Sequence, residues 1–159
     1  ALAPVNFIFG WAKPVPVNPA KYRSPIWGDI RVSLAGIVSN FGLAVLATLG
    51  LALVSKVIDV SGPPSSGLME TLVEMAQYGI IINLILAFFN LIPIPPLDGS
   101  HVLFHLLPRP IAVRYADAGR YGLLVMMGLL YLWNDLFTYL MWPVFFFLGQ
   151  AYTFVDLWI

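Results

Sequence analysis

The segment Asn90–His105, NLIPIPPLDGSHVLFH, brings a carboxylate and both of the chain's histidines together behind a cluster of prolines. Asp98 follows Pro93, Pro95 and Pro96 directly, at the end of a long apolar run. An ionisable residue at such a depth points to function, because burying it in an apolar setting is costly. Asp98 could instead cap a helix beginning at Gly99, its oxygens accepting backbone N–H bonds. Gly99 itself would permit close backbone approach. His101 and His105 are four residues apart, so on a helix they share a face and could both reach a metal alongside Asp98. They could equally be interfacial histidines. Val102, not glutamate, follows His101, so the pair is not the H-E-x-x-H pattern of zinc peptidases.

The elements that must carry this segment are apolar helices. Of the 159 residues 60% are hydrophobic and 10% charged, and mean hydropathy is +0.86. A soluble domain averages roughly 45–50% apolar and about 25% charged residues, so this composition belongs to a membrane protein. Zero net charge gives no footprint for nucleic acid. The absence of cysteine excludes disulfides, thiolate zinc sites and cysteine catalysis. The start, ALAPVNFIFGW, lacks both an initiator Met and the basic region of a signal peptide, which suggests a processed or truncated chain.

Val32–Val54 carries no charge and is long enough to cross the hydrocarbon core. Its small residues, among them Gly36, Ser39, Gly42 and Ala47, favour close helix packing. SGPPSSG then reads as a loop. Further spans are expected at 75–92, 119–133 and 136–156, the last with Pro143 inside it. The prolines forbid helix at Pro93–Leu97, and such a break survives at membrane depth only where protein buries it or it lines a wet cavity. A helix can restart over Leu97–Leu107. Residues 1–31 are rich in proline and aromatics, and KPVPVNP favours extended backbone at the interface. The expected fold is therefore all-α, a single polytopic membrane domain of about four spans with an extended N-terminal segment. Lys and Arg fall mainly in 1–31 and 93–120, which puts both segments on the cytoplasmic side.

Three stretches resemble motifs of the site-2 protease family of intramembrane zinc metalloproteases. NLIPIPPLDGSHVL resembles the family's N-x-x-P-x-P-P-L-D-G segment, GWAKPVPVNP (Gly10–Pro19) its G-x-x-K-P-V-x-V strand, and AGIVSN (Ala35–Asn40) its A-G-P-x-x-N. They occur in the family's order, and the likeness covers about residues 7–130. It implies that Asp98 is the third zinc ligand. It implies that Asn40 orients substrate or the oxyanion, although a helix–helix hydrogen bond is the alternative. It also implies that Lys13, Pro14, Val15, Pro16, Val17 and Asn18 border the substrate cleft and pair with an extended substrate strand, where an interfacial plug is the alternative. Ile37 stands where the family has proline. The other two ligands would be the histidines of an H-E-x-x-H on a helix before Ala1. The 159 residues contain no such motif, and a catalytic zinc commonly takes three protein ligands, so tight zinc binding by this chain alone is not expected.

Two functional classes stay open. The chain is either the C-terminal portion of a zinc-dependent protease acting on transmembrane protein substrates, or a non-catalytic relative serving as a subunit of a larger membrane complex. In the second case the aromatic C-terminal half, Phe137 to Trp158, could pack on partner subunits instead of lipid. A channel or transporter fits poorly, since almost no intramembrane charge is available to line a path. The family likeness places the protein in a bacterial or archaeal inner membrane.

Overall fold

A computed structural model describes residues 24–61, 67–132 and 135–158, and all the regular structure in them is helical. Lys13–Asn18 and the rest of the expected extended segment up to residue 23 lie outside the described residues. Helix α1 (Pro25–Ser61) opens with proline at its first position, where a missing N–H costs nothing. At 37 residues it is about 55 Å long by the helical rise, well beyond a hydrocarbon core of about 30 Å. The uncharged stretch 32–54 is its middle, with Asp29 and Arg31 past one end and Lys56 and Asp59 past the other. Helix α2 (Gly67–Asn90) returns antiparallel against α1. The two approach closely at Gly79, where an added Cβ would lie 3.2 Å from the Ala47 methyl.

The chain then turns through Leu91–Asp98 without helix, as the prolines require, and restarts as the short α3 (Gly99–Leu106). Helix α4 (Arg109–Ala118) leads through a tight 3-10 turn into α5 (Gly122–Leu132), and α6 (Leu136–Trp158) closes the described chain. Helix α6 runs parallel to α1. Phe147 lies against Phe88 at 5.5 Å and Phe41 at 6.3 Å, while Lys56 Nζ donates to the Trp158 carbonyl at 3.0 Å near the opposite end. The core sits between α1, α2 and α6 and includes Ala44, Leu51, Ile80, Leu84, Met141 and Val144. The outer faces stay apolar: Leu46, Val38, Trp142 and Phe145 are all more than half exposed. Such surfaces suit lipid.

Among the described residues three helices are long and apolar enough to cross a membrane: Pro25–Val60, Gly67–Asn90 and Leu136–Trp158. Over the expected span at 119–133 the described residues, 119–132, are helical throughout. Its α-helical part, α5, has 11 residues, which rise only about 16 Å. The 3-10 turn at Gly119–Tyr121 and the docking of that end onto the proline loop set where it begins. If α1 crosses the membrane, as its length and composition allow, its two ends should face opposite sides. Single cysteines at Glu70 and Arg114, in a chain with no native cysteine, are expected to react with an impermeant maleimide from opposite sides of sealed vesicles. Labelling of both from one side would contradict this packing.

Candidate functional site

The proline loop gathers the site at the end where α1 begins and α2 finishes. Within it the Ile94 N–H donates to the Ile92 carbonyl at 2.9 Å and the Leu97 N–H to the Ile94 carbonyl at 3.0 Å. Gly99 closes the loop on itself, for any Cβ there would run into the Leu91 carbonyl oxygen and lie 2.9 Å from that of Ile92. Tyr115 on α4 donates its hydroxyl to the Pro93 carbonyl at 2.9 Å. Gly119 and Gly122 give Pro95 a bed without side chains. Pro95 is thus half-buried, while Pro93 and Pro96 remain exposed, so protein covers the break only in part.

This frame sets Asp98 beside α1. A Cβ on Gly36 would be 3.3 Å from Asp98 Oδ2, so the glycine of AGIVSN is what leaves room for the carboxylate. Asp98 occupies the N-cap position of α3, yet its backbone is in the right-handed helical region and its side chain makes no capping hydrogen bond. A capping role is therefore not what holds it there. Burial pushes its carboxyl above the usual carboxylate range, and the nearby His101 pulls the other way. A half-buried carboxylate left free of its helix terminus is suited to neutralise a cation, and in that respect it fits a metal-ligand role.

The histidines point elsewhere. His105 Nε2 lies 2.8 Å and His101 Nδ1 3.2 Å from one oxygen of Asp29, Oδ2. A carboxylate oxygen can only accept, so the hydrogen sits on Nδ1 of His101 and on Nε2 of His105. His101 and His105 do share a helix face, as their spacing required, but the face meets α1 and is not arranged with Asp98 around a common point. Among the described residues no three His, Cys, Asp or Glu side chains are grouped to hold a metal ion. Asn40 is half-buried one turn beyond Gly36. Asp29, Ser33, Gly36 and Asn40 recur at helical spacing along one stripe of α1, and Ser33 is buried. A cavity of about 290 Å³ opens beside this stripe, lined by Asp29, Pro95, Ser100, His101, Phe104, Tyr115 and Ala116.

Sequence reasoning missed Asp29, Gly119 and Gly122. The first had a signal: Asp29 lies seven residues before Gly36, two turns along the same face. The glycines signalled nothing beyond a small-residue pair.

Residues 53–132 match the family described as Peptidase family M50. "Putative zinc metalloprotease YwhC" of Bacillus subtilis is 34% identical over 137 residues, covering 86% of this chain and 60% of its own length. "Putative zinc metalloprotease mll0638" of Mesorhizobium japonicum is 38% identical over 90 residues, 52% of this chain and 23% of the relative. "Metalloprotease MmpA" of Caulobacter vibrioides is 36% identical over 87 residues, 49% of this chain and 21% of the relative. The chain thus spans less than two thirds of each, 60% of the first and under a quarter of the other two. No solved structure matches it significantly. With half of its length matched by the family and its proline loop seating Asp98 against Gly36, the chain belongs to peptidase family M50, the site-2 proteases.

Proposed function

We propose that this chain is the proline-loop portion of a zinc-dependent intramembrane protease and that Asp98 is one of the zinc ligands. The observation that carries the reading is the Asp98 carboxylate, half-buried, seated against Gly36 and making no capping bond. Membership of a family whose relatives are named as zinc metalloproteases supports it. The remaining ligands would belong to an upstream H-E-x-x-H, and bound zinc would supply the polarisation of water and of the scissile carbonyl. Asp98 contributes a negative oxygen that the proline loop holds beside α1. Asn40, on the same stripe as Gly36, offers a side-chain amide to orient that carbonyl. Lys13–Asn18 would pair with a substrate stretch already unwound from helix.

The substrate class is a transmembrane protein, and the setting is the inner membrane of a bacterial or archaeal cell. Arg31, Arg109, Arg114 and Arg120 lie toward the Asp98 end of the molecule, which argues for that end facing the cytoplasm.

Zinc content tests the reading. The full-length protein purified in detergent is expected to retain stoichiometric zinc. Asp98→Ala should lose most of it, and Asp98→Asn should hold it more weakly, because the amide removes the charge that offsets the metal. Unchanged zinc content in both variants would refute the ligand assignment.

A further inference from the structure

Helix α3 is eight residues long and follows a loop of prolines, so its own hydrogen bonds do little to fix it. It is nevertheless fastened to α1 at two places. At its start Asp98 lies against Gly36, and further along Asp29 Oδ2 takes both His105 Nε2 at 2.8 Å and His101 Nδ1 at 3.2 Å. Asp29 and Gly36 lie on one stripe of α1, two turns apart. The two attachments together define both where α3 lies along α1 and how it is rotated about its own axis. Rotation matters because Asp98 immediately precedes the helix: turning α3 swings the carboxylate away from Gly36. The attachment is also sheltered on one side, with the His105 side chain 15% exposed against 50% for His101. Two hydrogen bonds accepted by a single oxygen, the shorter one part-buried, make it a clamp and not a lone surface ion pair of small effect.

We propose that Asp29, acting through His105 and His101, is a positioning residue that sets the Asp98 carboxylate, so that metal binding depends on a carboxylate that does not touch the metal. The inference rests on the ligand role proposed for Asp98. It assigns the histidines a function other than ligation, with His105 as the principal anchor and His101 as the weaker one.

The test uses the full-length protein in detergent, with zinc affinity read by chelator competition and kcat and KM read on a membrane-embedded peptide substrate. Asp29→Ala is expected to weaken zinc about 10–100-fold, the range for residues that orient metal ligands. It should lower kcat about 100-fold, as for a displacement of about 1 Å at the reacting centre, with KM little changed. Asp29→Asn keeps an acceptor oxygen and should recover most of both. His105→Ala should approach Asp29→Ala, and the double variant should be no worse than Asp29→Ala alone, because Asp29→Ala already removes the whole linkage. His101→Ala should be milder. If Asp29→Ala folds poorly, the Asn rescue and the His105→Ala variant still decide the matter. Wild-type zinc affinity in Asp29→Ala and His105→Ala, a change in KM alone, or additive losses in the double variant would each overturn the proposal while leaving Asp98 as a ligand. Loss of the Asp98 role itself would show separately, as unchanged zinc in Asp98→Ala.

Discussion

Asp98→Ala in the full-length protein should abolish cleavage of a membrane-embedded substrate while leaving the fold intact. The magnitude follows from what the ligand supports. A metal that polarises water and carbonyl lowers the barrier by several kcal/mol, and about 4 kcal/mol corresponds to about 10³ in rate. The stability side points the other way. Asp98 makes no capping bond, and burial disfavours its charged form. Replacing it therefore removes a cost, and the thermal midpoint of the metal-free variant should be no lower than that of the metal-free parent. A large loss of activity without loss of stability is the signature of a functional carboxylate placed against the interest of the fold. If Asp98 were a helix cap, the same substitution would cost about 0.5–2 kcal/mol of stability and leave cleavage in place. Cleavage surviving at the parental rate would remove Asp98 from the chemistry and favour the non-catalytic relative.

The main helices and the break between them were legible because their causes are local. An uncharged run such as 32–54 has few alternatives to a membrane helix, and prolines at 93, 95 and 96 stop a helix wherever they fall. The outer limits were less legible. Helix α1 begins at Pro25 and not near Val32, since charged residues can continue a helix past the hydrocarbon without penalty. Over the third expected span, 119–133, what hydropathy does not encode is the tertiary docking of its first turn onto Pro95. The site divides in the same way. Asp98 and the small residue at Gly36 stand in recognisable motifs. The use of His101 and His105 does not, because spacing shows that they share a face but not which carboxylate that face will meet. Asp29 is 72 residues from His101 and 76 from His105 in the chain, and only the fold joins them.

Gly122→Ala should damage the protein more than any other glycine substitution in α5, and through a contact of backbone on backbone. A Cβ at Gly122 would overlap the Pro95 carbonyl oxygen, lie 2.8 Å from the carbonyl carbon and 3.4 Å from Ile94 Cγ2. The two closest atoms are backbone, so relief requires α5 and the proline loop to separate. Overpacking of this kind costs about 1–3 kcal/mol and occasionally more. The separation is carried along the loop to Asp98, three residues beyond Pro95. A displacement of about 1 Å there is enough for a loss of about 100-fold in kcat. Gly128 supplies the comparison, because it sits in the same helix with nothing within 4 Å of its added Cβ. Gly128→Ala should be neutral or stabilising by about 0.5–1 kcal/mol, the usual gain from replacing glycine inside a helix. Thermal midpoints and cleavage rates of the two variants, prepared in the full-length protein, measure the difference directly. Equal stability and equal activity in the two would mean that the proline loop does not rest on α5, and that Asp98 is held by α1 and α3 alone.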